Sequence, residues 1–513
     1  MFQMPQLRTF SVHHNLPFDL SDNLNALLPQ FKPFSDNPEE LASQLLNKYP
    51  LADKSLSEVR ALGLEFAQWC YEAINNEEDE DKAYKRVLKL YESIQDYILM
   101  PSIKTTKKWL GATQRLQDGT WWARKLRPAS RQHIEMIAYS LGYVSKNRQH
   151  TSFQTIQSFR NAKQASKKWI EKSSISNGQI FIPLEKVMFT PAQRKAEIYC
   201  HLKGLQDIAE AQEKDKDLKG NEKLTWCFLT MTLPGVYHIN PKSGAKNWDS
   251  SSPKEQQEKL VEWWARLRST CAKKGLKLWG MRVVEAHIDG TVHWHALVYL
   301  KHNQVATLYD QFRRIWKNKN AGDITVGKKG VVNNKEPAAA ASYVMKYLMK
   351  DFKYQNYEDA KPDDISHSAW KELWQLRAYQ FFGMRATASV WRLMRRFNTE
   401  KADLNHSLIQ LAKGNESALF SDAIKKHNVE LIKSENTNKY GEKTYKNTGF
   451  TIDGITYDCS TGEWMIVDTQ SCVSSSVDTV RYKLSKRNAL NRAFLNNLGG
   501  KSNGKLVNPP DLP

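Results

Sequence analysis

At 513 residues, with 75 Lys and Arg against 55 Asp and Glu, the chain carries a formal charge of +20 and has material for several hydrophobic cores. That surplus points to polyanions, nucleic acid foremost. Six scattered cysteines with no CxxC pair argue against a zinc ribbon or redox motif, and no apolar run reaches the ~18 residues of a membrane span.

The opening "MFQMPQLRTF" has no basic segment leading into an apolar one, so a soluble, cytoplasmic protein with no membrane contact is expected. Residues 1–103 read as a helical N-terminal region, with apolar residues three and four apart in "LASQLLNKYPLADKSLSEVRALGLEFAQWCYEAI". Residues 104–215 read as a basic helical DNA-binding region. Its first part, 104–172, holds 15 Lys and Arg against 3 Asp and Glu, hence +12 of the total charge. The cations are interleaved with Trp121, Trp122 and Tyr143, which can pack or stack while the cations meet phosphates. The charged stretch "GLQDIAEAQEKDKDLKGNEK" reads as an exposed helix or linker, with a boundary near 215.

From 216 to 400 strands alternate with helices, and the fold class expected is α+β: an antiparallel sheet with packed helices. "TWCFLTMTLPGVYHI" reads as a strand ending at Pro234-Gly235, and a helix is expected between Ser252-Pro253 and Gly275. A hairpin follows in "VVEAHIDGTVHWHALVYL", turning at Asp289-Gly290. Helices are expected in "NQVATLYDQFRRIW" and "PAAAASYVMKYLMKDF". Residues 401–513 read as a C-terminal region with a small β element and a disordered end at "GGKSNGKLVNPPDLP".

Two patterns carry chemistry. His293 and His295, two apart on a strand, share one face about 7 Å apart, a spacing that suits two ligands of one metal. Glu285 and His287 share a face of the other arm, and turn length decides whether it is the same face. A strict two-residue loop sets Ala286 opposite His293 and turns Glu285 away; a three-residue loop, or one with a glycine bulge, brings Glu285 or His287 beside the pair. Tyr343 and Tyr347, four apart, stand on one face of a helix, with Lys346 and Lys350 forming a second such pair. A phenol with a pKa near 10 needs a cation near its oxygen or its target before it attacks a phosphodiester.

"EAHIDGTVHWH" followed by "YVMKY" resembles the HUH endonucleases, and the chain is most similar to the bacteriophage replication gene A protein family. "FLTMTLPG", "DGTWWARKLR" and "VWRLMRRF" extend the resemblance over about residues 110–400. It implies that His293 and His295 are metal ligands for Mg²⁺ or Mn²⁺, with Glu285 the first choice of third ligand and His287 the second. It implies that Tyr343 and Tyr347 are alternating nucleophiles, nicking one strand of a double-stranded DNA origin to leave a 5′-phosphotyrosine and a free 3′-OH. Met349 and Asp351 stand where the family has serine and asparagine, and "GMRATAS" replaces a proline-containing run. With no GxxxxGK[ST] loop in the sequence, unwinding falls to a host helicase and extension to a replicative polymerase. The alternatives are a relaxase or transposase of the same superfamily, using one tyrosine, and a non-enzymatic basic DNA-binding protein.

Overall fold

The computed structural model describes residues 44–75, 109–144, 149–241, 247–317, 322–326, 360–383, 387–397, 406–460 and 464–469, with a few single positions between them. Among the described residues the chain forms two units, one within 44–143 together with 435–445, the other within 144–434 together with 446–469. The units do not follow the boundaries expected at 103/104 and 215/216.

In the first unit, α1 (Leu56–Asn75), α2 (Trp109–Leu116) and α3 (Gly119–Ser140) enclose one core. Asp118 caps α3 by accepting from the Thr120 N–H, which answers one of the orphan donors of a helix start. Trp122 is fully buried against Phe66, its Nε1–H donating to the Leu116 carbonyl at 2.7 Å, and Trp121 packs edge-on to it. Of the three aromatics offered for packing or stacking, these two are core, leaving their faces unavailable to bases. Residues 435–445 are held in the same unit by Arg115 pairing with Glu442 and by Asp118 accepting from Lys439 and Tyr440.

The second unit begins with α4 (Phe153–Glu171), β1 (Ser173–Ser176), β2 (Phe181–Pro183), α5 (Leu184–Val187) and α6 (Pro191–Lys214). Its main sheet is antiparallel throughout, built from β3 (Leu224–Thr232), β4 (Trp279–Ala286), β5 (Val292–Lys301), β6 (Gly322–Val326) and β7 (Tyr379–Phe382) in the order β6-β3-β5-β4-β7. The α+β expectation holds. Alternation along β5 sorts its residues between two layers. One face carries Phe228, Met281, Val283, Leu297 and Tyr299 against α6 and the helical residues Ala341, Val344, Met345 and Leu348. The other carries Trp294, whose Nε1–H donates to Gln257 on α7 (Pro253–Lys273) at 2.8 Å. Ser252 caps α7 in a reciprocal box with Glu255, and Gly275 past its end has φ +77°.

Of the stretch expected to be an exposed helix or linker, the first half (204–214) belongs to α6, with Leu205 and Ala209 buried, while 215–223 is the largely exposed connection to β3. The reason is a periodicity that starts upstream: Ile198, Leu202, Leu205 and Ala209 lie three to four apart and form one stripe on the sheet.

Beyond the sheet lie α8 (Val305–Ile315), α9 (Pro362–Leu373), α10 (Thr387–Arg396), α11 (Ser407–Lys413) and α12 (Ser417–Ala423), then β8 (Val429–Thr437), β9 (Lys443–Ile452), β10 (Ile455–Asp458) and β11 (Met465–Asp468). β8, β9 and β10 form a second sheet, the small β element expected, while β11 pairs with β1 nearly 300 residues earlier, so this part of the chain closes onto the front of the unit. The expected disordered end lies outside the described residues. Among the described residues no helix is long and apolar enough to cross a membrane.

Candidate metal centre on the sheet

The turn between β4 and β5 settles the register left open by the sequence. The His287 N–H donates to the Thr291 carbonyl and the Gly290 N–H to the His287 carbonyl, with Gly290 at φ +85°. The loop is therefore Ile288-Asp289-Gly290, three residues ending in a left-handed glycine. Glu285 stands directly opposite His293, and Val283 opposite His295. Glu285, His287, His293 and His295 consequently share one face.

Each histidine of the pair has a threonine behind it. β3 runs alongside β5 with Thr232 opposite His293 and Thr230 opposite His295. Thr232 Oγ1 lies 2.7 Å from His293 Nδ1, and Thr230 Oγ1 lies 3.4 Å from His295 Nδ1. With Nδ1–H donating to the hydroxyl, the His293 lone pair sits on Nε2, the arrangement in which imidazole ligates a cation. His295 stacks on Phe228 at 5.2 Å, which fixes the plane of its ring. These threonines were missed at the level of sequence, although "LTMT" places them on one face of a strand.

On the near side, His295 Nε2 lies 3.0 Å from Glu285 Oε2, both side chains being buried. Two donors at right angles, each ~2.1 Å from an octahedral ion, stand about 3.0 Å apart. The pair is thus spaced as adjacent ligands of such an ion. His287 and His293 rings meet edge-on at 4.4 Å, and His293 and His295 at 4.5 Å. His287 Nε2 is buried with no hydrogen-bond partner among the described residues, an unanswered lone pair or N–H. No three of these four residues bring their donor atoms within 4.8 Å of one another, so the geometry provides a close Glu285–His295 pair with two flanking imidazoles.

Burial, followed by the neighbouring His238, lowers the His287 pKa to about 4, and burial with the adjacent imidazoles His287 and His295 holds His293 well below its ordinary value. Both rings stay neutral near pH 7, with lone pairs to offer. Around them a polar ring fixes the loop. Asp289 accepts from the Asn240 and Thr291 N–H groups and from His238 Nδ1–H at 3.3 Å. Burial opposes ionisation of Asp289, but these hydrogen bonds outweigh it and hold its pKa below the usual carboxylate range. Trp370 on α9 donates to the Gly290 carbonyl at 2.9 Å and His367 Nε2 accepts from the Ala286 N–H at 3.3 Å.

Tyr343, Tyr347 and Lys350 lie outside the described residues. Lys346 is exposed on a helical segment whose Ala341, Val344, Met345 and Leu348 pack on the face of the sheet that bears the histidines.

The bacteriophage replication gene A protein family matches residues 56–355, which takes in α1, the basic helices, the hairpin and the YVMKY segment. The chain belongs to this family. A probable replication protein of Pseudoalteromonas phage PM2 is 28% identical over 385 residues, 70% of this chain and 57% of that protein. The replication gene A protein of Escherichia phage 186 is 25% identical over 69% of this chain and 56% of its own length. A probable replication endonuclease from a prophage-like region of Salmonella typhimurium is 27% identical over 53% of this chain and 35% of its own. The chain thus spans between about a third and three fifths of the relatives it matches. No solved structure matches.

Proposed function

We propose that the chain is a metal-dependent, site-specific DNA nickase and strand transferase of the HUH type, initiating rolling-circle replication of a phage or prophage. The observation that carries this reading is the Glu285–His295 pair, 3.0 Å apart beside His293 on the central hairpin of an antiparallel sheet. The fit to a divalent ion rests on that spacing and on the orphaned His287 Nε2. His293, His295 and Glu285 would hold Mg²⁺ or Mn²⁺, with His287 in reserve, and the ion when bound supplies charge that polarises the scissile phosphate.

The chain's own residues do the rest. The threonines keep each ring turned so that one nitrogen faces the site. The tyrosine oxygen of Tyr343 or Tyr347 loses its proton and bonds to phosphorus as the P–O3′ bond breaks; the departing 3′ oxygen takes up a proton. The product is a 5′-phosphotyrosine that keeps the energy of the broken bond for rejoining, and Lys346 and Lys350 are the cations proposed to meet the phosphate. The partners proposed are the origin DNA, single-stranded at the nick, a host helicase and a replicative polymerase.

The test is covalent trapping: purified protein, labelled single-stranded origin-region DNA and Mn²⁺, denatured and inspected for a protein–DNA adduct. The adduct is expected to survive Tyr343→Phe and Tyr347→Phe separately and to vanish in the double variant. Loss with one change alone would favour a transposase or relaxase, and no adduct with a cognate fragment would leave a basic DNA-binding protein.

A further inference from the structure

Away from the sheet, the second unit gathers three side chains that the proposed reaction does not use. His406 precedes α11, His427 follows the short helical turn Ile424–Lys426, and Asp453 opens the two-residue turn joining β9 to β10. Their ligand atoms all lie within 4.8 Å of one another, and among the described residues no other group of three His, Cys, Asp or Glu does so. We propose that His406, His427 and Asp453 form a second divalent-metal site, structural in role and of the zinc class, clasping three segments of this part of the fold.

The donor set suits that class. Two imidazoles and one carboxylate make a mixed nitrogen and oxygen site of the kind zinc accepts, with a fourth position open to water on a half-exposed surface. The carboxylate is already aimed. Asp453 Oδ1 accepts from the Asn428 N–H at 2.8 Å, which turns Oδ2 toward His427 Nδ1, 2.6 Å away. Donors of a tetrahedral ion with ~2.0 Å bonds stand about 3.3 Å apart. The pair would open by about 0.7 Å as the ion replaces the shared proton, and the proton leaves to solvent. His406 stands edge-on to His427, ring centroids 4.8 Å apart.

His406 also serves as the cap of α11, its Nδ1 accepting from the Leu408 N–H at 3.2 Å. Histidine is not among the preferred capping residues. Ligation displaces this long bond, because a ring that gives one lone pair to a metal carries its proton on the other nitrogen. The three segments also share a core through Leu408, Ile409, Ile424, Phe450 and Ile452. An ion at the cluster would pin the edge of that core, where an exposed His–Asp pair alone is a weak clasp.

The two metal sites can be separated by variant. Asp453 and Gly454 have φ of +48° and +87°, and Asn-Gly is equally suited to such a turn, so Asp453→Asn keeps the backbone while weakening the ligand. The full chain, stripped with chelator, is titrated with ZnCl2 by equilibrium dialysis and thermal unfolding. The wild type and His295→Gln are expected to gain a rise in Tm with Zn²⁺ that Asp453→Asn and His427→Gln lack, each of the latter binding one equivalent fewer than the wild type. Mg²⁺-dependent adduct formation should be unchanged in Asp453→Asn. If Zn²⁺ leaves the wild-type Tm unmoved, or its effect disappears in His295→Gln and persists in Asp453→Asn and His427→Gln, the site does not exist.

Discussion

At the scale of single residues, the sheet site is a problem of keeping imidazoles neutral and turned the right way. Burial does the first: a lowered pKa makes His287 and His293 neutral donors rather than cations that would repel a metal. Thr232 does the second for His293. Thr232→Val keeps the shape of the side chain and removes the hydroxyl that accepts from Nδ1. Outer-shell partners of this kind are typically worth about 10- to 100-fold in metal affinity. The Mn²⁺ concentration needed for half-maximal adduct is therefore expected to rise by about that factor, with the circular-dichroism spectrum unchanged. An unmoved midpoint would mean that the hydroxyl orients nothing. The shared face of His293 and His295 was legible in the sequence because residues two apart on a strand point the same way. Thr230 and Thr232 were not, because their role depends on which strand lies beside β5, and strand order is not a local property.

At the scale of elements, the hairpin shows where sequence reading stops. Asp289-Gly290 announces a turn, but the same residues serve a two-residue or a three-residue loop, and these place Glu285 on opposite faces. The choice is made by distant partners: Trp370 on the Gly290 carbonyl, Asn240 on the Asp289 carboxylate. Deleting Ile288 should test whether the loop or the strand pairing holds the register. With one residue fewer, Asp289-Gly290 becomes a two-residue turn between His287 and Thr291, which are already hydrogen-bonded, so Glu285 stays opposite His293. The variant is expected to keep Mn²⁺ binding and adduct formation. Loss of both would mean that the strands had slipped by one residue and carried Glu285 to the other face. The same blindness to distant partners explains why residues 204–214 read as a possible linker. The charged half of α6 resembles a linker, and only the sheet beneath reveals that its sparse apolar residues form a stripe.

At the scale of the molecule, the charge surplus was read from composition, but its surface was not. The stretch 104–172 mixes cations with tryptophans, a composition that fits either a base-stacking platform or a Trp-anchored core with a cationic exterior. Trp121 and Trp122 are buried in the first unit, which decides for the second. What remains for a polyanion is point charge, and on α4 this includes the exposed Lys167 and Lys168 in its last turns. Contacts of that kind neutralise phosphates without reading bases, so their signature is a salt dependence. Lys167→Gln with Lys168→Gln should weaken binding to duplexes of any sequence alike and lower the magnitude of the slope of log K against log salt by up to about 2. Adduct formation on a short single-stranded substrate at saturating DNA should be preserved, because neither lysine lies on the histidine-bearing sheet. An unchanged slope would move the phosphate path off α4 and onto other cationic surfaces. A slope lowered only on the cognate sequence would mean that α4 takes part in reading the origin, which point charges at the end of a helix do not explain.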